Sequence, residues 1–511
     1  MFNFRDSFRH LFLQIFFLFC VFSLHLKSQE FSTFHELTFK KRENQLLGLS
    51  KFNYSYSFRD NSQTDSTKFS IKPLMIESAF NSSRPFGYNN ASFIAAKGIQ
   101  MRYSWGVGYH SKLVSINIKP EYLAAKNPSY QHSAYFGEST HRNYRQFYPG
   151  QSSLKLHFWK IDLGIGTENF FWGPGQFNAL ILSNNAPGFK HFTISSNKPI
   201  KIGIGKIEFQ ALGGKLENDS LLTSEALYQM PAPYSRDWRY LSGVNFSYQP
   251  FFIPNFFIGF TRTMQLYGKS NMQSQLPFFR KYFPSISAVF AKKINTQIDA
   301  PDQNDGSDQQ ASFFMRFLMP ASHIEFYTEY GYNDFKANLR DFFLDPQHAA
   351  AYIIGFKKIF DLKNNNYWSI NGEITQMAQS NDYLVRYAGN WYEHGVMIQG
   401  LTHKNQILGA GSGKGNNVQV LNLNRNFNNN LIGFKIQRIQ NDPRGFRLGD
   451  ISTLYLSKII WTDISYGPVF RYNFKKLLVA GEIQAVHSKN YAWENQNLFN
   501  LYSYLSFTYK L

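Results

Sequence analysis

A glycine-rich turn, an aspartate cluster and a scatter of histidines are the parts of this 511-residue chain whose side chains could do chemistry. Gly409 to Gly415 reads G-A-G-S-G-K-G and offers Lys414 to a phosphate. A phosphate-binding loop needs a glycine where Leu408 stands and a Ser or Thr where Gly415 stands. Nucleotide binding is therefore not expected. Asp302, Asn304, Asp305 and Asp308 gather near Gly306 like a calcium loop. Its glycine is at the wrong offset, and Phe313 takes the place of the closing Glu. His394 and His403 lie too far apart for one helical metal face. No metal and no cofactor are assigned.

His157, His323, His394 and His487 fall in segments that read as strands. A histidine base needs a Ser or carboxylate partner, here supplied by a neighbouring strand. Cross-strand partners obey no sequence spacing, so no catalytic residue is assigned and the chain is read as non-enzymatic. The single cysteine, Cys20, sits in an N-terminal apolar run, Leu11 to Leu24, behind Arg5, Arg9 and His10. Ser28 and Gln29 follow as a cleavage region. That order reads as a signal peptide over 1–28, followed by one domain over 29–511. Export without a thiol excludes disulfides and a cysteine nucleophile, and makes nucleic acid an implausible partner.

The elements that position any site must be strands. Phe and Tyr number 52 and 31, mean hydropathy is -0.35, and no later run approaches the ~20 apolar residues of a spanning helix. Apolar residues instead recur at every second position. Phe52, Tyr54, Tyr56 and Phe58 alternate with polar neighbours, as do Ile99, Met101, Tyr103, Trp105, Val107 and Tyr109. A turn at Ser111 and Lys112 leads into Val114, Ile116 and Ile118. Ile324, Phe326 and Tyr330 alternate with Glu325 and Glu329. A strand with lipid on one face and a wet lumen on the other needs this dyad. Unpaired strand edges are too costly in hydrocarbon, so the sheet must close. The fold expected is all-β, a closed antiparallel transmembrane barrel of about 16 to 20 strands with 18 favoured. Asp299–Gln310, Gly409–Asn417 and Asn424–Asn430 read as loops, and polar Gln29–Gly48 shows no amphipathic helix. The last strand, Phe499 to Leu511, alternates like the assembly signal that the envelope barrel-assembly machinery reads.

An ordered series of blocks runs through the middle of the chain. It includes E-N-F-F-W-G-P-G at Glu168–Gly175, S-N-N-A-P-G-F at Ser183–Phe189 and D-W-R-Y at Asp237–Tyr240. It continues with E-F-Y-T-E-Y-G-Y-N-D at Glu325–Asp334, W-Y-E-H-G at Trp391–Gly395 and G-L-T-H-K-N-Q-I-L-G-A-G at Gly400–Gly411. The series resembles the Wzi family of capsule-assembly outer-membrane proteins. The resemblance implies a barrel that binds surface polysaccharide and helps to attach capsule. Members carry periplasmic helices, for which Gln29–Gly48 offers no clear counterpart. Similar proteins of gliding Bacteroidetes-type bacteria are linked to motility. The alternative is a passive porin or solute channel, which needs a continuous wet path.

The blocks also read as a sugar site. Trp172, Trp391 and Tyr392 offer flat faces for stacking, and Asn184, Asn185 and His394 offer hydroxyl partners. Glu325, Glu329, Glu373 and Glu482 are expected to pair with lysines and arginines inside the lumen. The formal charge is +19, and losing residues 1–28 leaves about +17. Such charge must sit in loops, turns and lumen, facing an acidic polysaccharide or lipopolysaccharide phosphates.

Overall fold

A computed structural model describes residues 34–50, 53–58, 68–131, 143–220, 237–273, 276–286, 307–333, 347–363, 366–379, 390–394, 397–442 and 459–509. The expected signal peptide lies outside them. Eighteen antiparallel strands form one closed barrel; breaks at irregularities within three of them divide the sheet into 21 segments. The strands are β1 Lys68–Asn81, β2 Gly98–His110, β3 Val114–Ile118 with Glu121–Lys126, and β4 Asn143–Tyr148 with Ser153–Phe158. Next come β5 Ile161–Gly166, β6 Lys190–Ser196 with Ile200–Ile202, β7 Gly205–Leu216, β8 Arg239–Pro250 and β9 Phe256–Tyr267. Then follow β10 Asp308–Met319, β11 Ile324–Asn333, β12 Ala350–Lys363, β13 Asn366–Gln376 and β14 Asn417–Phe427. The series ends with β15 Asn430–Gln440, β16 Thr462–Phe474, β17 Leu477–Lys489 and β18 Leu498–Tyr509. Closure is direct: β18 pairs with β1, from Leu74 opposite Tyr509 to Asn81 opposite Tyr502.

Alternation sorts the two faces. On β2, Ile99, Tyr103, Trp105 and Tyr109 are exposed on the outside, while Gln100, Arg102 and Ser104 are buried within. On β14 and β15 the outer face is Leu421, Leu423, Ile432, Phe434 and Ile436. Short turns join the strands at one end, such as 428–429 between β14 and β15. Long connections, such as 82–97, 167–189 and 377–416, leave from the other. Short turns mark the periplasmic end of such barrels and long loops the cell exterior.

Three strand and loop expectations change. The alternating Phe52–Phe58 segment is not a barrel strand; its described part, 53–58, crosses the lumen. There Ser55 N donates to Glu208 Oε2 at 2.7 Å, and Ser57 O accepts from Gly173 N at 2.7 Å. Asn424–Asn430 is mostly strand, with only Asn428 and Asn429 in the turn, both at positive φ (47° and 64°). Of the expected loop Asp299–Gln310, Asp308–Gln310 lies in β10.

The polar Gln29–Gly48 region contains a helix after all, α1 Phe34–Leu46. An amphipathic stripe is not required of it, because Arg42 and Glu43 meet polar groups of the lumen wall. Arg42 bonds Glu325 and donates to Pro174 O at 2.7 Å. Glu43 meets Lys357 and accepts from Tyr367 OH at 2.9 Å. Leu46 finds an apolar niche, with Phe257, Leu318 and Ile359.

Candidate functional site

The lumen is filled from the outer end by loop 167–189 and by the described parts of the connection 377–416, residues 377–379, 390–394 and 397–416. Their apolar residues form a core with strand residues such as Leu212, Leu241 and Ile353. Glutamates of the wall dock the first loop. Glu373 accepts backbone N–H groups from Gln176 at 2.6 Å and Asn178 at 2.7 Å, and the Tyr327 hydroxyl at 2.8 Å. Glu329 accepts from Ser312 Oγ at 2.7 Å and Leu180 N at 3.4 Å. The expected cation pairing therefore holds for Glu325, with Arg42 and Arg316, and for Glu482, with Lys435 at 2.9 Å. Glu329 and Glu373 instead satisfy the orphan amides of an irregular loop, which no lumen water could reach once the loop is docked.

The aromatic candidates sit in this core with their faces covered. Trp172, Trp391 and Tyr392 are 1%, 0% and 0% exposed. Trp172 Nε1 donates to Gln210 Oε1 at 2.7 Å, and Trp391 Nε1 to Ala349 O at 3.1 Å. The Tyr392 hydroxyl donates to Leu180 O at 2.8 Å and accepts from Ala410 N at 2.6 Å, joining the two loops. Gly409 has to be glycine there, since a Cβ would lie 2.4 Å from the Tyr392 ring. The stacking surface expected of these rings is thus spent on loop packing. His394 is half-buried, and its Nδ1 accepts from Met397 N at 3.0 Å. Asn184 Nδ2 donates to Asn89 O at 3.1 Å. The glycine-rich turn ends with Lys414 paired to Glu393 rather than offered to a phosphate.

Above the plug lies a cleft of about 140 Å³ at the long-loop end. Arg84, Phe86, Tyr88 and Asn90 of the 82–97 connection line one side, with Tyr502 of β18. Asn185, Gly411–Lys414, Trp461 and Asp463 line the rest. Of the six expected site residues, Asn185 is the one that reaches this lining. Arg84 binds Asp463 at 2.6 Å, and its guanidinium lies 5.4 Å from the Trp461 ring and 5.6 Å from Tyr491. Burial, with Glu373 and Glu482 nearby, pushes the Tyr88 phenol up, so it stays a neutral hydroxyl. Rings, amides, hydroxyls and paired charges in one concavity suit a ligand rich in hydroxyl groups.

The capsule assembly protein Wzi family matches residues 82–497. The chain belongs to that family. The solved structure of Escherichia coli Wzi is similar over 94% of this chain and 90% of its own, with 12% identity and a TM-score of 0.59. That protein is an outer-membrane protein involved in group 1 capsule assembly and a carbohydrate-binding β-barrel. Acinetobacter baumannii OccAB3 is similar over 86% of this chain and 98% of its own, with 11% identity and a TM-score of 0.43. Pseudomonas aeruginosa OpdQ is similar over 86% and 97%, with 10% identity and a TM-score of 0.41. No curated protein matches the chain by sequence.

This Wzi-family barrel is a multi-pass protein of the outer membrane. The sequence blocks that resemble the family proved to supply most of the plug, whereas the cleft is built largely from residues outside them. Ser82–Asn90, S-S-R-P-F-G-Y-N-N, mixes aromatic, Gly and Asn residues as the plug blocks do, and that was the available signal. Gly87 at φ +90° meets the Tyr502 ring, where a Cβ would be 2.5 Å away.

The plug hairpin carries a pH prediction. Arg239 Nη2 donates to Thr402 O at 2.8 Å and so holds His403 inside. Burial pushes the His403 imidazole down to about 3, with Lys404 and Arg239 adding to the effect and Glu217 opposing it. Its Nδ1 accepts from Glu217 N at 3.1 Å, which requires the neutral ring. For Glu217, burial raises the carboxyl, but Lys215 and Lys404 outweigh it and hold the group at about 2. Docking is therefore fully stable above pH 6.5 and weakens progressively as pH falls from there toward 3. Glu217 adds its own loss only below its ordinary 4.5. Hydrogen exchange of residues 400–410, corrected for intrinsic rates, should rise between pH 7 and 5. The rise should vanish in His403→Gln; an equal rise in the variant would reject this origin.

Proposed function

We propose that the barrel holds surface polysaccharide at the outer cleft and takes part in capsule or exopolysaccharide assembly. The observation that carries this reading is the cleft itself, an outward concavity of paired charges, amides and rings over a filled lumen in a Wzi-family barrel. A filled lumen suits an attachment protein and not a passive channel. Phe86→Ala combined with Tyr88→Ala should weaken glycan retention by detergent-purified protein about tenfold. Retention unchanged in the double variant would move the site elsewhere. In cells, a deletion strain should shed polysaccharide that the parent retains. Scoring gliding in the same strain separates an attachment role from a motility role.

The preference for acidic polymers rests on the rim rather than on the cleft floor. Arg84 and Lys414 already have carboxylate partners, whereas Lys126 and Lys190 are exposed at the long-loop ends of their strands. Retention of a uronic-acid polymer should fall as salt rises, because screening shortens the reach of exposed charges to ~8 Å at physiological ionic strength. Equal retention of neutral and acidic polymers at low salt would remove this part of the proposal. Lipopolysaccharide has its own surface outside the barrel. The short helices Gly268–Gln273 and Phe278–Tyr282 lie against the outer wall of β8, where Tyr240 OH donates to Tyr282 O at 2.7 Å. They expose Phe278 and Phe279 beside Arg280, a pairing that fits acyl chains and a phosphate. The alternating aromatic strand β18 is the segment we assign to the barrel-assembly machinery.

A further inference from the structure

Far from the cleft, near the short-turn end, Ser115, His157 and Asp162 form a hydrogen-bonded series on the inner wall of β3, β4 and β5. His157 Nδ1 lies 2.7 Å from Asp162 Oδ1, and Ser115 Oγ lies 2.5 Å from His157 Nε2. The sheet register builds this arrangement. His157 and Asp162 are direct cross-strand partners, and Ser115 faces Lys155, two residues before the histidine. Alternation turns Ile116, Leu156, Phe158 and Leu163 to lipid and leaves the three polar residues inside. Asn197 Nδ2 donates to Asp162 Oδ1 at 2.7 Å and fixes the carboxylate. The Asp162 side chain is 1% exposed and that of His157 11%, while Ser115 is half-buried. The buried member is thus the carboxylate and the accessible one the hydroxyl, in the order that a nucleophile, its base and the group orienting the base require.

We propose that Ser115, His157 and Asp162 are a hydrolytic centre for short, water-soluble acyl esters entering from the short-turn end. The Asp162 carboxylate accepts Nδ1–H and leaves the Nε2 lone pair of His157 facing the serine hydroxyl. Ser115 Oγ attacks the ester carbonyl carbon as its proton passes to Nε2. The ester C–O bond then breaks, and the alcohol leaves with that proton. Water attacks the acyl-serine, gives a proton to Nε2, and the proton returns to Oγ as the carboxylic acid departs. His110 Nδ1 contacts the same hydroxyl from the other side. The direction the series faces selects the substrate. A triad on the lipid face would meet long acyl chains, but this one borders Asn117, Gln151 and the Lys155–Glu168 pair in a polar lumen. The proposal is independent of the polysaccharide reading.

The test uses the full barrel purified in detergent, with heat-modifiable gel migration as the check on folding. A fluorophosphonate probe should form an adduct on Ser115, located by peptide mass, and p-nitrophenyl acetate should be hydrolysed. Ser115→Ala should abolish the adduct. His157→Gln should slow both reactions at least roughly a hundredfold. Asp162→Asn should slow hydrolysis and displace its pH profile, which mere loss of a structural bond would not do. A folded wild-type barrel without an adduct on Ser115 overturns the proposal, as does labelling that survives His157→Gln or that maps to another serine. In those cases the series is only a cross-strand polar network.

Discussion

Replacing Glu325 by alanine should destabilise the short-turn end of the barrel by about 3–5 kcal/mol. Glu325 is 0% exposed and lies between two guanidinium groups. Arg316 Nε donates to it at 2.7 Å and Arg42 Nε at 3.1 Å. Arg42 and Arg316 are each 1% exposed. Removing the carboxylate leaves two buried cations facing each other without a counter-ion, and that uncompensated charge sets the size of the effect. Arg42→Met should cost less, because Arg316 still neutralises Glu325. The distinctive result is in the helix: both variants should release α1, which Arg42 ties to the wall and to the plug at Pro174. Urea titration of barrels refolded in lipid would measure the first effect, and proteolysis of residues 34–50 the second. A loss in Glu325→Ala below about 1 kcal/mol, or an α1 that stays protected in both variants, would show that the charge cluster does not hold this end together.

The second large effect is on conductance. Wild-type protein in planar bilayers should pass no large steady current, and Glu373→Ala should open a steady one. Glu373 is buried on β13 and carries the amides of Gln176, Phe177 and Asn178 together with the Tyr327 hydroxyl. Truncation strands those donors, at roughly 1–3 kcal/mol for each one left unsatisfied. The loop can regain them only by moving into water, which vacates the lumen. Gln at this position still accepts but lacks the charge, so Glu373→Gln should flicker between states. Large steady currents from the wild-type barrel would restore the porin reading. A silent Glu373→Ala would mean that the apolar plug core, with Trp172, Trp391 and Tyr392, holds the loops without the glutamate.

The contrast between wall and contents explains what was legible. The alternation in Ile99–Tyr109 and in Ile324–Tyr330 recorded strands because each residue meets one of two solvents, and the pattern is local. The same alternation misled at Phe52–Phe58, whose described part, 53–58, lies inside and meets protein on both faces. α1 was invisible for the opposite reason: its polar residues are the ones that pack. The expected glutamate pairing was half right because residue type shows that a buried carboxylate needs donors, and does not show whether they come from guanidinium groups or from a loop backbone.

By itself, then, the amino-acid sequence determined a closed, aromatic-rich membrane barrel of about the observed strand number, its family, and a surplus of positive charge. These follow from period, composition and ordered motifs, all of which survive when long-range contacts are ignored. Only the tertiary structure decided what fills the barrel. The Arg42–Glu325 contact joins residues 283 positions apart, and Glu373 reaches Gln176 across 197. Contacts that distant leave no local spacing to read. They turned the Trp172, Trp391 and Tyr392 faces inward, shaped the cleft from Arg84 to Trp461, and set Ser115 against His157, because a barrel brings strands together by register and closure.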